Sequence, residues 1–254
     1  MKRKCSTALM GVLAVALWLG QAAVARPMAQ ASTGRMLPPL EDGDLIFIRI
    51  SNPIFRRVAQ TTDSWETHVG ILFADAQGNW QVAESTFPFS KFSSLAHFIA
   101  RSAHGRCCIT RYQSGLNAEQ KVALRRAAEA RLGVFYDLGF SLDSTRLYCS
   151  KFVFEVYQEA TGHQVGKIET FRQLLAANPQ APLGFWRVWF WGRIPWDRRC
   201  VTTTSELKST LLKTIFDVCG EDRNPIINEW IRPVSCEEIS QGTGSRPKTG
   251  LDCE

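Results

Sequence analysis

Two short apolar runs, Leu45-Ile46-Phe47-Ile48-Arg49-Ile50 and His68-Val69-Gly70-Ile71-Leu72-Phe73, restrict the fold more than anything else in this chain. The second run leads into Asp75-Ala76-Gln77-Gly78-Asn79, a hairpin turn, and then into Trp80 to Ser85. Runs of this length and character read as strands, and so short a turn can join only antiparallel neighbours. The first half of the chain is therefore expected to build an antiparallel sheet. Pro53 to Ser64 reads as a short helix or loop, Leu95 to Ser102 as a short helix, and Cys107 to Tyr112 as a further strand.

The second half changes period. Asn117-Ala118-Glu119-Gln120 is an N-cap with an acidic first turn, opening a helix to about Leu132 that Gly133 closes. Phe152, Val153, Val156 and Tyr157 recur at helical spacing, and Ala160 continues the stripe to Gly162. Ile168 to Ala176 is expected to be helical, and Thr202 to Ile215 helical or an irregular closing segment. Strands grouped first and helices after imply an α+β fold.

Cys149 falls in the first turn of the Phe152–Tyr157 helix, where unpaired N–H groups and the positive end of the helix dipole favour negative charge. It is read as a nucleophile, against the alternatives of a small core residue or a half-cystine. His68 follows a polar loop and opens a strand, so its ring can face a cleft while Val69, Ile71 and Phe73 bury the other face. His97, His104 and His163 lie on a surface helix, in a loop and past a helix end, and are weaker candidates. Residues 68 and 84 are symmetric about Ala76, which places Glu84 opposite His68 as the group that would orient its imidazole. An oxyanion site would use the Cys149 N–H plus one further donor, Tyr148 or Tyr136, between which the residues do not choose. Trp186, Trp189, Trp191 and Trp196 read as core and domain packing, with a substrate or membrane-facing surface as the alternative.

The N-terminus has the three parts of a secretory signal peptide. Lys2, Arg3 and Lys4 precede an apolar Ala8 to Leu19, and Ala23-Val24-Ala25 suits cleavage after Ala25. The expected organisation is a signal peptide at 1–25, a flexible leader at 26–40, a hydrolase domain at 41–218 and a cysteine-containing tail at 219–254. Periplasmic or extracellular residence would let Cys107, Cys108, Cys200, Cys219, Cys236 and Cys253 form up to three disulfides. The net charge of +6 is inflated by the signal, and no dense basic run argues for nucleic acid. No transmembrane span follows the signal, and no cysteine pair has the close spacing of a zinc site, so neither metal nor cofactor is expected.

Taken together, Gly43-Asp44-Leu45-Ile46-Phe47, Thr67-His68-Val69-Gly70-Ile71, Glu84, Gly133-Val134-Phe135-Tyr136-Asp137 and Tyr148-Cys149-Ser150 resemble the permuted papain-like amidases, relatives of NlpC-type cell-wall peptidases. The resemblance runs from about Glu41 to Ile215. It implies a circularly permuted papain-like core in which the histidine strand precedes the cysteine helix. Cys149 would then be nucleophile, His68 base and then acid, and Glu84 the orienting acid. One departure is Lys151, where the family usually carries an acidic residue. The expected activity is a secreted cysteine amidase or peptidase, acting as a monomer on peptidoglycan peptide, an amino-acid conjugate or an acyl lipid. Acyl hydrolysis or transfer on lipids, and a non-catalytic envelope-binding protein, are the alternatives.

Overall fold

In the computed structural model, which describes residues 38–218, the first strand β1 (Leu45–Ile50) lies at the centre of the main sheet. It pairs antiparallel with β2 (His68–Ala74) on one side and with β5 (Ser102–Tyr112) on the other. The hairpin partner β3 (Trp80–Glu84) and β4 (Lys91–Ser94) extend the sheet beyond β2, and β8 (Leu212–Val218) extends it beyond β5. The order is β4-β3-β2-β1-β5-β8, with β6 (Ile168–Thr170) and β7 (Arg199–Val201) forming a separate two-stranded ladder. The expected α+β arrangement, with the histidine strand preceding the cysteine helix, is what the chain adopts.

Strand alternation divides the core. Leu45, Phe47, Val69, Ile71 and Phe73 face α3 (Ala118–Glu129) and α4 (Cys149–Thr161). Ile46, Ile48, Leu72 and Val82 face α2 (Leu95–Ala100). A third apolar cluster lies beyond the sheet, where Phe154 of α4 meets α5 (Phe171–Ala177), α6 (Leu183–Trp189) and Val201 of β7. Between β1 and β2 runs α1 (Pro53–Thr62), capped by Asn52, whose Oδ1 accepts from the Ile54 N–H.

Two polar locks fix the start of β1, one to α4 and one to β5. The buried Tyr157 hydroxyl donates to the Gly43 carbonyl, and Gly43 holds a φ of +95° that a side chain would resist. Its neighbour Asp44 accepts from Arg111 Nε and Nη2, both at 2.8 Å, tying the start of β1 to the end of β5. The end of the expected leader is attached as well: Leu40 is buried and the Pro39 carbonyl accepts from Arg111 at 2.7 Å. The signal peptide at 1–25, most of the leader and the tail from 219 lie outside the described residues.

None of the described cysteines is joined to another of them. Cys107 and Cys108 enter the two opposite core layers, and Cys200 sits on β7 in the third cluster, so these three cannot meet. Burial pushes the thiols of Cys108 and Cys200 up to about 12, leaving them inert at neutral pH. Cys219, Cys236 and Cys253 lie outside the described residues.

Candidate active site

Tyr148 is the N-cap of α4 and Cys149 its first residue, so the cysteine sits where backbone N–H groups lack helical partners. Ser150 bends its hydroxyl back to the Val201 carbonyl at 2.9 Å, and the Tyr148 hydroxyl accepts from the Val201 N–H at 3.0 Å. The helix start is thereby clamped to β7. Lys151, the departure from the family pattern, turns back onto the loop that precedes α4. Its buried ammonium donates to the carbonyls of Ser144 and, at 3.1 Å, Arg146, and lies 3.6 Å from Glu155. It secures the loop that delivers Tyr148 and Cys149.

His68, 1% exposed, opens β2 and stacks on Phe98 of α2 with ring centroids 5.3 Å apart. Its Nε2 meets Glu84 Oε2 at 2.5 Å. Glu84 is fully buried, and its other oxygen accepts from Ser93 Oγ and Arg101 Nη2, both at 2.6 Å. Burial alone would pull His68 down, but hydrogen bonds and charge from Cys149 and Glu84 outweigh it and raise the imidazole to about 9. Burial would push Glu84 up, yet the hydrogen bond and charge of His68, then Arg101, bring it down to about 2. Nδ1, the ring nitrogen left over, makes no hydrogen bond of regular geometry, while Cys149 lies close enough to act on the ring. Such loose nucleophile–base contacts are common before substrate binds.

The pairing that brings His68 and Glu84 together differs from the expected one. Ala74 pairs Trp80 and Ile71 pairs Ala83, so the hairpin is centred on residue 77 rather than Ala76. Continuing that register puts Glu84 opposite Gly70, and the His68–Glu84 contact is diagonal. A shift of two keeps both side chains on one face. Gly70, between them in register, has no space for a side chain: a Cβ there would stand 2.3 Å from Val82 Cγ1, 3.0 Å from the Ala83 carbonyl oxygen and 3.3 Å from Phe98 Cε2.

The two tyrosines separate. Tyr148 is engaged by Val201, whereas burial, then the charge and hydrogen bond of Cys149, push the Tyr136 phenol well above its usual value. Tyr136 keeps its proton and offers it to the Cys149 side chain. Asp137 next to it accepts from the N–H groups of Gly139 and Ser141, which shapes the loop that presents Tyr136.

One acid that sequence reasoning missed lies within electrostatic reach of the nucleophile. Glu206, fully buried on the short helix α7 (Thr203–Leu207), has neither carboxyl oxygen hydrogen-bonded. Burial, with the charges of Cys149 and Glu66, pushes its carboxyl well above the usual range. Nothing local in Thr202-Thr203-Thr204-Ser205-Glu206 signals that burial.

Cys149 also lines an apolar cavity of about 60 Å³, walled by Val58, Phe140, Phe171, Leu174, Trp186 and Val201. Trp186 is buried here and Trp189 half-buried, as expected of packing residues, but Trp191 is 95% exposed and Trp196 36%. Among the described residues, no three His, Cys, Asp or Glu side chains are grouped to hold a metal ion, and no helix is long and apolar enough to cross a membrane.

A family model described as "Permuted papain-like amidase enzyme, YaeF/YiiX, C92 family" matches residues 39–216. The chain is 31% identical over 140 residues to "Uncharacterized protein YiiX" of Escherichia coli strain K12, covering 55% of this chain and 68% of that protein. A crystal structure titled as the metalloprotein yiiX from Escherichia coli O157:H7 superposes with a TM-score of 0.66 at 27% identity. The match covers 70% of this chain and 98% of the other.

Proposed function

Since the chain belongs to the permuted papain-like amidase family, we propose that it is a cysteine amidase in which Cys149 attacks the carbonyl carbon of an amide, His68 moves the protons and Glu84 orients His68. The observation that carries this reading is the buried array in which Glu84 holds one nitrogen of His68 and Cys149 acts on the ring from elsewhere. His68 takes the thiol proton, the sulfur bonds to the carbonyl carbon, and the oxyanion forms beside the Cys149 N–H and the Tyr136 hydroxyl. The C–N bond breaks as His68 returns the proton to the departing amine. Water, deprotonated by His68, then cleaves the thioester, releasing a carboxylic acid and the free cysteine.

The signal-like segment at 1–25 supports a substrate in the cell envelope, such as peptidoglycan peptide or an amino-acid conjugate. The word metalloprotein belongs to the Escherichia coli neighbour's title. Among the described residues, the donor groups around Cys149 and His68 do not form a metal-binding set.

The test is labelling by an acyloxymethyl ketone, an acyl-type electrophile that traps cysteine nucleophiles, followed by peptide mapping. Cys149 should be tagged in the wild type, lost as a target in Cys149→Ala, and slowed by at least about 100-fold in His68→Ala. Tagging confined to other cysteines of the native protein would sink the reading.

A further inference from the structure

The cavity beside Cys149 has a composition and a size that bear on what is cleaved. It lies where α1, α5 and α6 close over the start of α4, and its apolar walls come from Val58, Phe140, Phe171, Leu174, Trp186 and Val201. Four of the hydroxyls that line it are already engaged. Thr61 Oγ1 donates to the Arg57 carbonyl and accepts from Trp186 Nε1 at 2.8 Å, and Thr67 Oγ1 accepts from the Ile50 N–H. Tyr148 and Ser150 are both bound to Val201. A charged or amide-bearing group placed here would lose its water and find little in exchange. An apolar group loses nothing.

Size narrows the occupant further. A cavity of about 150 Å³ admits benzene, so on the same scale about 60 Å³ takes two or three carbons. That suits the branched end of a short aliphatic side chain such as leucine's. A long lipid acyl chain does not fit. The back wall is fixed, because Trp186 is buried, hydrogen-bonded to Thr61 and packed edge-on against Phe171 at 5.4 Å.

We propose that this cavity is a specificity pocket that receives a short apolar side chain on the acyl side of the scissile amide, making the substrates amides of small hydrophobic amino acids rather than lipid acyl chains. The proposal rests on the reading of Cys149 as nucleophile. It chooses among the envelope substrates that reading leaves open.

Acyloxymethyl ketones bearing a glycyl, leucyl, aspartyl or lysyl residue, and one bearing a hexadecanoyl chain, would be compared by their rates of Cys149 alkylation in the full-length protein. Iodoacetamide, which carries no side chain, is run alongside. The leucyl reagent should outpace the glycyl one by about tenfold or more, with the aspartyl, lysyl and hexadecanoyl reagents no faster than glycyl. Leu174 is only half-buried, so Leu174→Trp can fill the cavity with circular dichroism confirming the fold, and should reduce the leucyl-to-glycyl ratio towards one. Equal rates for leucyl and glycyl, a preference for a charged or hexadecanoyl reagent, or an unchanged ratio in Leu174→Trp would each overturn the pocket. Failure of iodoacetamide to modify Cys149 at all would instead overturn its role as nucleophile.

Discussion

Glu84 and Glu206 are both fully buried, both lie near the Cys149–His68 pair, and are driven in opposite directions. Glu84 is held by His68, Ser93 and Arg101 and falls to about 2. Glu206 has no hydrogen-bond partner on either oxygen, has the negative charges of Cys149 and Glu66 nearby, and rises well above its usual range. Burial raises both, and the partners of Glu84 reverse its direction. The β2–β3–β4 side of the molecule is an ionised network tuned around an imidazole. On the α7 side, a carboxyl without hydrogen-bond partners is pushed towards its neutral form.

The sharpest way to break that contrast is Glu84→Gln. The amide cannot neutralise His68 and Arg101, and removing one member of a buried ionic set costs about 3–5 kcal/mol. The melting temperature should fall substantially. Turnover should fall by about 10²- to 10⁴-fold, because an amide can hold the imidazole in the wrong tautomer. Unchanged kcat in a folded Glu84→Gln protein would remove Glu84 from the proposed machinery.

The next effect appears with pH. His68 is raised from 6.5 to about 9 in the folded protein, so its contribution is complete below about 6.5 and is lost as pH climbs through about 9. A shift of that size corresponds to about 3 kcal/mol. Glu84 runs the other way: its contribution is complete above 4.5 and disappears as pH falls through about 2. Chemical denaturation should find the pair at full strength between about 4.5 and 6.5, weakening first on the alkaline side. Glu84→Gln should flatten the alkaline decline. A decline of undiminished depth in the variant would trace it to some other group.

Gly70→Ala probes the same side by shape rather than charge. The added methyl would press on Val82 and on Phe98, the ring stacked against His68. Overpacking of this kind costs about 1–3 kcal/mol. Displacement of the imidazole should lower kcat more than it raises KM. A loss of stability with kcat intact would show that Phe98 does not position His68.

The two sides also differ in how far they could be read in advance. The hairpin was legible because apolar runs flank a turn of obvious composition, and the Cys149 helix because its stripe ends in glycine. The site's charged side inherits that legibility, since His68 and Glu84 sit on the hairpin. The register came out two residues away from expectation because Asp75 organises the turn, accepting from the N–H groups of Gln77 and Asn79 and moving its centre to residue 77. Strand β4 is only Lys91-Phe92-Ser93-Ser94, and β6 is three residues, too short for period-two alternation to declare itself. Strand β8 owes its place to β5, a partner about 100 residues earlier in the chain. Glu206 was invisible for the same reason, since its burial comes from distant elements packing over α7.

The smallest expected effect lies on the neutral side, where it has the opposite sign. Glu206→Leu replaces an acid that hydrogen-bonds to nothing with a side chain of similar bulk, so the desolvation it relieves should stabilise the fold by about 1–3 kcal/mol. The pH dependence identifies the cause. A carboxyl whose folded pKa is raised contributes fully below its unfolded value of about 4.5 and costs progressively more as pH rises towards the folded value. The gain in melting temperature from Glu206→Leu should therefore be small at pH 4 and grow through neutrality, the reverse of the loss in Glu84→Gln on the acid side. If Glu206→Leu is instead destabilising at neutral pH, Glu206 is ionised against a partner after all, and the two glutamates are alike.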